Sequence, residues 1–248
     1  MSRQRQRGLS LIELMVAIAL GVMVLLGVLQ VYLSGSEHAA FNHAQQQNQA
    51  NARFILTLLQ RESGHAGYSA WVRHASAADD QQYDFVIDRQ GPFPALTDAT
   101  TGCIFAAGQV ASPDAGGRGL CLRYQRAQRS DAQTQQDCTG AALYSDDDEG
   151  NPQALVSHLR LSGGQFLCRT NNPLSAGETV LAEGLHDLVF AVGSTNQIRA
   201  GLVLTSRRAL LPENCSYQDP LNPATSKDTG TRGLCSAFAQ TLYLRNQP

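Results

Sequence analysis

The stretch GLSLIELMVAIALGVMVLLGVLQVYLSGS, residues 8–36, decides how the rest of the chain is read. From Leu14 to Leu33 its only amide or charged side chain is Gln30. As a helix those residues extend about 30 Å, roughly the hydrocarbon thickness of a bilayer, so the segment can span a membrane. The leader MSRQRQRG, residues 1–8, carries Arg3, Arg5 and Arg7 and no acid. The positive-inside rule therefore holds the N-terminus in the cytoplasm and sends everything after Leu33 across. Glu13 breaks the apolar pattern near its start. A carboxylate in lipid costs about 2.5 to 3.5 kcal/mol even on the lenient insertion scale, so Glu13 needs a cation. A secretory signal cut near Ser34 to Ser36 is the rival reading, but its apolar core usually runs only about 7 to 15 residues.

The chain has 248 residues, 43% hydrophobic and 16% charged, with a net charge of −2. That composition supports a folded domain behind an N-terminal appendage and excludes nucleic-acid binding by bulk charge. Lys227 is the single lysine among many arginines and reads as composition bias. The six cysteines, Cys103, Cys121, Cys138, Cys168, Cys215 and Cys235, all follow residue 100, and none lies within 16 residues of the next. Structural zinc sites and C-x-x-C redox sites need much closer pairs, so no metal or cofactor is expected. An even count in an exported chain fits a disulfide framework.

A basic leader, then Gly8, then LSLIELMVAIAL resembles the class III signal of type IV pilins and type II secretion pseudopilins. The resemblance implies cleavage between Gly8 and Leu9 by a membrane aspartyl peptidase, which also methylates the new Leu9 amine. Leu9 stands where many members have Phe, keeping the apolar character. Glu13 becomes the fifth residue of the mature chain, and in that family this acid pairs with the N-terminal ammonium of a neighbouring subunit. Opposite charges at close range favour both ionised forms, which offsets two costs that lipid would otherwise impose separately.

From Ser36 to about Glu62 there is no proline, and Phe41, Ala44, Ala52, Ile55 and Leu59 suit one apolar stripe. The first helix is therefore expected to run on, with Gly64 and Gly67 as stop signals. Asn48 occupies a place where the stripe would want an apolar residue, and Gln30 replaces the proline that kinks many major pilins. The stretch 51–71 is similar to the end of the long helix in PilW-type minor pilins, through Arg53, Phe54, Leu56, Leu59, Arg61 and Ala66-Gly67-Tyr68. Trp71 stands where a Gly-Cys pair would be expected in that group.

After residue 70 short alternating or apolar runs predict strands at 83–88, 119–126, 155–162, 165–170, 179–184, 186–192, 199–207 and 239–245. Ser162-Gly163-Gly164 signals a hairpin turn. The order LAEGLHDLVFAVG, IRAGLVLTSR, FAQTLYLRNQP (181–193, 198–207, 238–248) also resembles PilW-type proteins, with Ser194-Thr195-Asn196 where many relatives place an acidic loop. The acidic run 146–151 fails the EF-hand test, because Asn151 and Ser157 occupy the positions that need Gly and Glu. No nucleophile elbow, H-E-x-x-H or phosphate loop occurs, and His186 and Asp187 should point to opposite faces of their strand. No enzyme activity is expected.

Six cysteines leave many pairings open. Cys215 with Cys235 is expected to clamp the long loop between two neighbouring strands, a closure worth about 3 kcal/mol. Cys103 with Cys121 and Cys138 with Cys168 would follow sequentially.

The fold expected is α+β: a long pilin-like N-terminal helix, its first half membrane-spanning, packed on an antiparallel sheet head with disulfide-bridged loops. The expected parts are a leader (1–8), a transmembrane or filament-core half-helix (9–35), an exported half-helix (36–66) and a β-rich head (67–248). The resemblance implies a minor pilin of a tip or priming complex that starts type IV pilus assembly, with twitching and adhesion as outputs. Implied partners are other minor pilins, the major pilin, the prepilin peptidase, the inner-membrane assembly platform and a large tip adhesin. The implied location is the inner membrane with a periplasmic head, then the cell-surface pilus. A type II secretion pseudopilin is the alternative, and a membrane-tethered periplasmic enzyme or binding protein a third.

Overall fold

The computed structural model describes residues 10–69, 93–125, 136–143, 154–175, 177–193 and 196–246. The expected strand at 83–88, Trp71 and the acidic run 146–151 lie outside the described residues. The chain divides into two compact units, Met1–Ala44 and Gln45–Pro248.

In the first unit the described residues from Leu11 onward belong to helix α1 (Leu11–His65), with large apolar side chains on every side and no proline to interrupt the ladder. In the second unit, α1 continues with one buried stripe. Asn48, Ala52, Ile55, Leu59, Glu62 and Ala66 are all shut away, spaced alternately by four and three residues as one helical face requires. Phe41, counted in the expected stripe, is instead exposed. Gly64 remains inside the helix, and the chain turns at Gly67, whose φ of 77° is the left-handed geometry that terminates helices.

The head of the second unit is antiparallel throughout its described strands. Strands β1 (Leu96–Thr97) and β2 (Ile104–Phe105) form a small ribbon. β3 (Ala111–Pro113), β4 (Gly119–Tyr124), β5 (Leu155–Ser162), β6 (Gln165–Thr170) and β7 (Thr179–Glu183) lie side by side in that order. β8 (Leu185–Val192), β9 (Gln197–Ala209) and β12 (Gly233–Tyr243) make a three-stranded sheet in the order β12-β9-β8. A second ribbon pairs β10 (Ser216–Gln218) with β11 (Ser226–Asp228). The β5–β6 hairpin turns on Gly163 and Gly164, with φ of 57° and 77°, the double positive φ of the two-residue turn that matches strand twist. The last strand starts six residues before the expected 239 and stops at Tyr243. Its earlier part carries small polar residues and a cysteine, which weaken the alternation signal.

β4 is buried along its whole length, because apolar groups cover both of its faces. Leu120 and Leu122 join the main core with Ile55, Leu59, Leu188 and Leu202, while Cys121 joins Cys103, Phe105 and Val156. Three disulfides tie loops to this frame: Cys103–Cys121, Cys138–Cys168 and Cys215–Cys235, with Cα atoms 5.8, 6.1 and 5.9 Å apart.

Candidate functional site

Ser10 opens α1. Its carbonyl accepts the N–H groups of Glu13 at 3.0 Å and Leu14 at 3.1 Å. Ser-Leu-Ile-Glu (10–13) has the spacing of a capping box, which places a carboxylate where the unpaired N–H groups of the first turn favour negative charge. The charge of Glu13 points to a partner, and its spacing from Ser10 also suits the helix end. Gly8 and Leu9, the expected positions of cleavage and methylation, lie outside the described residues.

From Leu11 to Leu33, Glu13 apart, the helix is a sleeve of exposed apolar side chains. Leu11 and Val31 are 75% exposed and Met23 69%. The segment is long and apolar enough to cross a membrane, and none of its most apolar window is buried. So much contiguous apolar surface is stable only against lipid or against other apolar helices.

The head holds its polar groups for other purposes. Arg123 on β4 is fully enclosed. Its guanidinium donates to the carbonyls of Gln109 (2.5 Å), Pro94 (2.6 Å), Phe93 and Ala106 (both 2.9 Å). It also lies over the rings of Phe93 and Phe105, 5.3 and 4.8 Å from their centroids. Burial pulls its pKa down to about 10, which leaves it charged at neutral pH. Four carbonyl dipoles and two rings thus stand in for a carboxylate.

Asp187 and Lys227 form a second cluster. Buried Asp187 accepts from Tyr217 Oη at 3.1 Å and its own neighbour's Leu188 N–H at 3.0 Å. Lys227 Nζ lies 2.7 Å from Asp219 and 3.5 Å from Asp187, so the single lysine pins the β10–β11 ribbon beside β8. Burial and the Asp187 charge push Tyr217 up to about 12. Strict alternation would send His186 and Asp187 to opposite faces, but β8 shifts register between Leu185 and Asp187, and both side chains meet Tyr217.

Among the described residues one group of metal-ligating types comes together, Cys103, Cys121 and His158, with ligand atoms within 4.8 Å of one another. Both sulfurs belong to the Cys103–Cys121 disulfide, so neither can offer a thiolate. His158 is held instead by Thr101 O, 3.0 Å from Nδ1, and faces Asp114 at 3.5 Å. A cavity of about 210 Å³ opens beside His65, Tyr68, Tyr124 and Asn246. The Asn246 amide already donates to the carbonyls of Gly64 and Ala66 at 3.0 and 3.3 Å.

With this geometry in view, residues 3–29 match the family model of the prokaryotic N-terminal methylation motif. The motif is that of type IV pilin-like proteins. It covers the leader arginines, Gly8, Leu9, Glu13 and most of the apolar sleeve. No curated protein and no solved structure matches the chain. The motif therefore supports a type IV pilin or pseudopilin, processed by prepilin peptidase, anchored in a membrane and assembled with other pilins. Such proteins are generally structural rather than catalytic.

Proposed function

We propose that the chain is a minor pilin of the PilW type, which joins other minor pilins in a complex that starts a type IV pilus. The observation that carries this reading is the exposed apolar helix whose first turn carries Glu13 inside a methylation motif. Prepilin peptidase cuts between Gly8 and Leu9 and methylates Leu9, leaving an ammonium four positions from Glu13. In lipid an unpaired charge of either sign is costly, so the Glu13 carboxylate and the terminal ammonium of the next subunit draw together and set the register of the helices. The apolar sleeve then leaves lipid for a core of equivalent helices. The disulfide-tied head, periplasmic before assembly and at the cell surface afterwards, supplies the contacts that distinguish this subunit from the major pilin and that hold a tip adhesin. It catalyses nothing.

Mass spectrometry of the mature N-terminus tests the chemistry, with methylated Leu9 expected and a start near Glu37 overturning it. A deletion strain separates the two filament types. Loss of twitching with intact enzyme secretion is expected, and the reverse assigns the chain to a secretion pseudopilus.

A further inference from the structure

Cys121 on β4 and His158 on β5 are direct partners across the antiparallel ladder. Side chains so paired stand on one face with Cβ atoms about 5 Å apart, which sets an imidazole beside a cysteine sulfur. The turn between β1 and β2 carries Cys103 to the same place. Asp98 holds that turn: its Oδ1 accepts from the Thr101 N–H at 2.7 Å and hydroxyl at 2.8 Å, and its Oδ2 accepts from the Asn171 amide at 3.1 Å. The two sulfurs and one ring nitrogen of His158 therefore lie within 4.8 Å of one another. Cys103, Cys121 and His158 are only 1, 2 and 9% exposed, and Phe105 and Val156 pack around the sulfurs, so the cluster is closed.

The imidazole is oriented from both sides. Thr101 O lies 3.0 Å from Nδ1 and the Asp114 carboxylate 3.5 Å from Nε2, and Nε2 itself is buried without a hydrogen bond of good geometry. Whichever nitrogen takes an ion, the other has an acceptor to fix the ring, the arrangement that orients metal-binding histidines. Asp114 is fixed in turn, since its Oδ1 accepts from the Arg118 N–H at 3.0 Å. Gly119 makes room for this approach: a Cβ there would collide with the Asp114 carboxylate and come within 2.7 Å of His158 Nε2. Among the described residues neither Cys138–Cys168 nor Cys215–Cys235 gathers a third side chain of ligand type in this way.

We propose that Cys103, Cys121 and His158 form a zinc site of the head before its disulfide closes. While the sulfur–sulfur bond stands neither sulfur binds a metal, but every disulfide begins as two thiols. As zinc binds, each thiol gives its proton to water and forms a Zn–S bond, and the neutral imidazole gives a lone pair. A tetrahedral ion with bonds of about 2.3 Å to sulfur and about 2.0 Å to nitrogen holds those atoms roughly 3.6 to 3.8 Å apart. That is inside the span of the cluster. Two soft thiolates and an imidazole select zinc over magnesium or calcium. Water reaches the cluster from the Asp114 side, where that side chain is 21% exposed, and completes the tetrahedron. The ion ties the β1–β2 turn to β4 and β5 as the disulfide later does. Closure is exchange with a disulfide-bearing oxidant: one thiolate attacks that disulfide, the second displaces the mixed disulfide to form Cys103–Cys121, and zinc returns to water. The oxidant takes the two electrons and, with two protons from water, leaves as a dithiol. None of this rests on the pilin reading.

The test uses the full chain in detergent micelles, reduced by a phosphine without oxygen and titrated with cobalt(II) as a coloured stand-in for zinc. The thiolate-to-cobalt and ligand-field bands of a tetrahedral ion should saturate at one equivalent and vanish when zinc displaces it. They should be lost in Cys103→Ser and kept in Cys215→Ser. Bands that never form, or that survive in Cys103→Ser, would overturn the site. His158→Gln should weaken binding at least as much as loss of an outer-shell partner does, about 10- to 100-fold, and an unchanged affinity would sink the proposal. Should a variant fail to fold, X-ray absorption of the zinc-loaded wild type decides alone. Two sulfurs at about 2.3 Å with nitrogen and oxygen at about 2.0 Å are expected, and any other number of sulfurs overturns the assignment.

Discussion

Leu25 and Leu26, in the first compact unit, are 63% and 61% exposed, whereas Ile55 and Leu59, in the second, are not exposed at all. All four lie on the same helix. In the first unit large apolar side chains surround the axis and stand exposed from Leu11 to Leu33. In the second, one stripe turns inward and most of the outer face is polar, with Phe54 the exposed exception among large apolar side chains. A helix apolar all round suits lipid or a bundle of like helices, and one with a single stripe suits a protein core. The two regions also treat charge differently. Among the described residues no side chain pairs with Glu13, and the proposed reading gives it a partner on another subunit, while Arg123, Glu62 and Asp187 find theirs within the head.

That contrast can be broken by substitutions that should cost assembly in one region and stability in the other. The largest effect is expected at Glu13. Glu13→Ala should abolish incorporation into filaments, measured in sheared fibre fractions, while the protein stays anchored in the membrane and head stability changes by less than about 0.5 kcal/mol. Glu13→Gln keeps a side chain that can serve a capping box but not the charge, so it should fail equally. Incorporation of the glutamine variant at wild-type levels would mean that helix capping, not charge pairing, is the role. Next comes Arg123→Met, which keeps bulk but takes the donor from the Pro94 and Gln109 carbonyls. It should lower denaturant stability by about 3 to 5 kcal/mol without altering membrane anchoring. A loss under about 1 kcal/mol would mean that the carbonyls find water instead. The smallest is Lys227→Gln, whose partly exposed ion pairs should be worth at most about 1 kcal/mol and fade in high salt. A larger, salt-independent loss would show that the β10–β11 ribbon depends on this lysine.

Much of the frame was legible in local pattern. The runs at 155–162 and 165–170 coincide with β5 and β6, because alternation and a Gly-Gly turn act between adjacent residues and need no distant partner. β1, β2 and β3 were not legible, since strands of two or three residues are too short for a period to show. β10 and β11 were missed for the same reason. The cysteine pairs join sequential residues, as loop closure favours, and match those set out from the sequence. Among the polar residues the local pattern said less. Asn48 looked like a gap in the stripe, but it is buried and its amide donates to Leu234 O at 3.0 Å. Lys227 looked like a trace of composition, yet it bridges two aspartates.

The amino-acid order by itself determined the membrane-length apolar helix, the methylation motif around Gly8 and Leu9, and the alternating strands of the head. Each depends on composition or on spacing within a few residues. Only the tertiary structure decided which charges are enclosed and what balances them. The partners of Arg123 come from residues 93–109, and the surroundings of Glu62 come from β4, β5 and the turn at Asp137. A charge in a low-dielectric interior is stabilised or strained by whatever folding brings within a few ångström, and local sequence carries no record of that company.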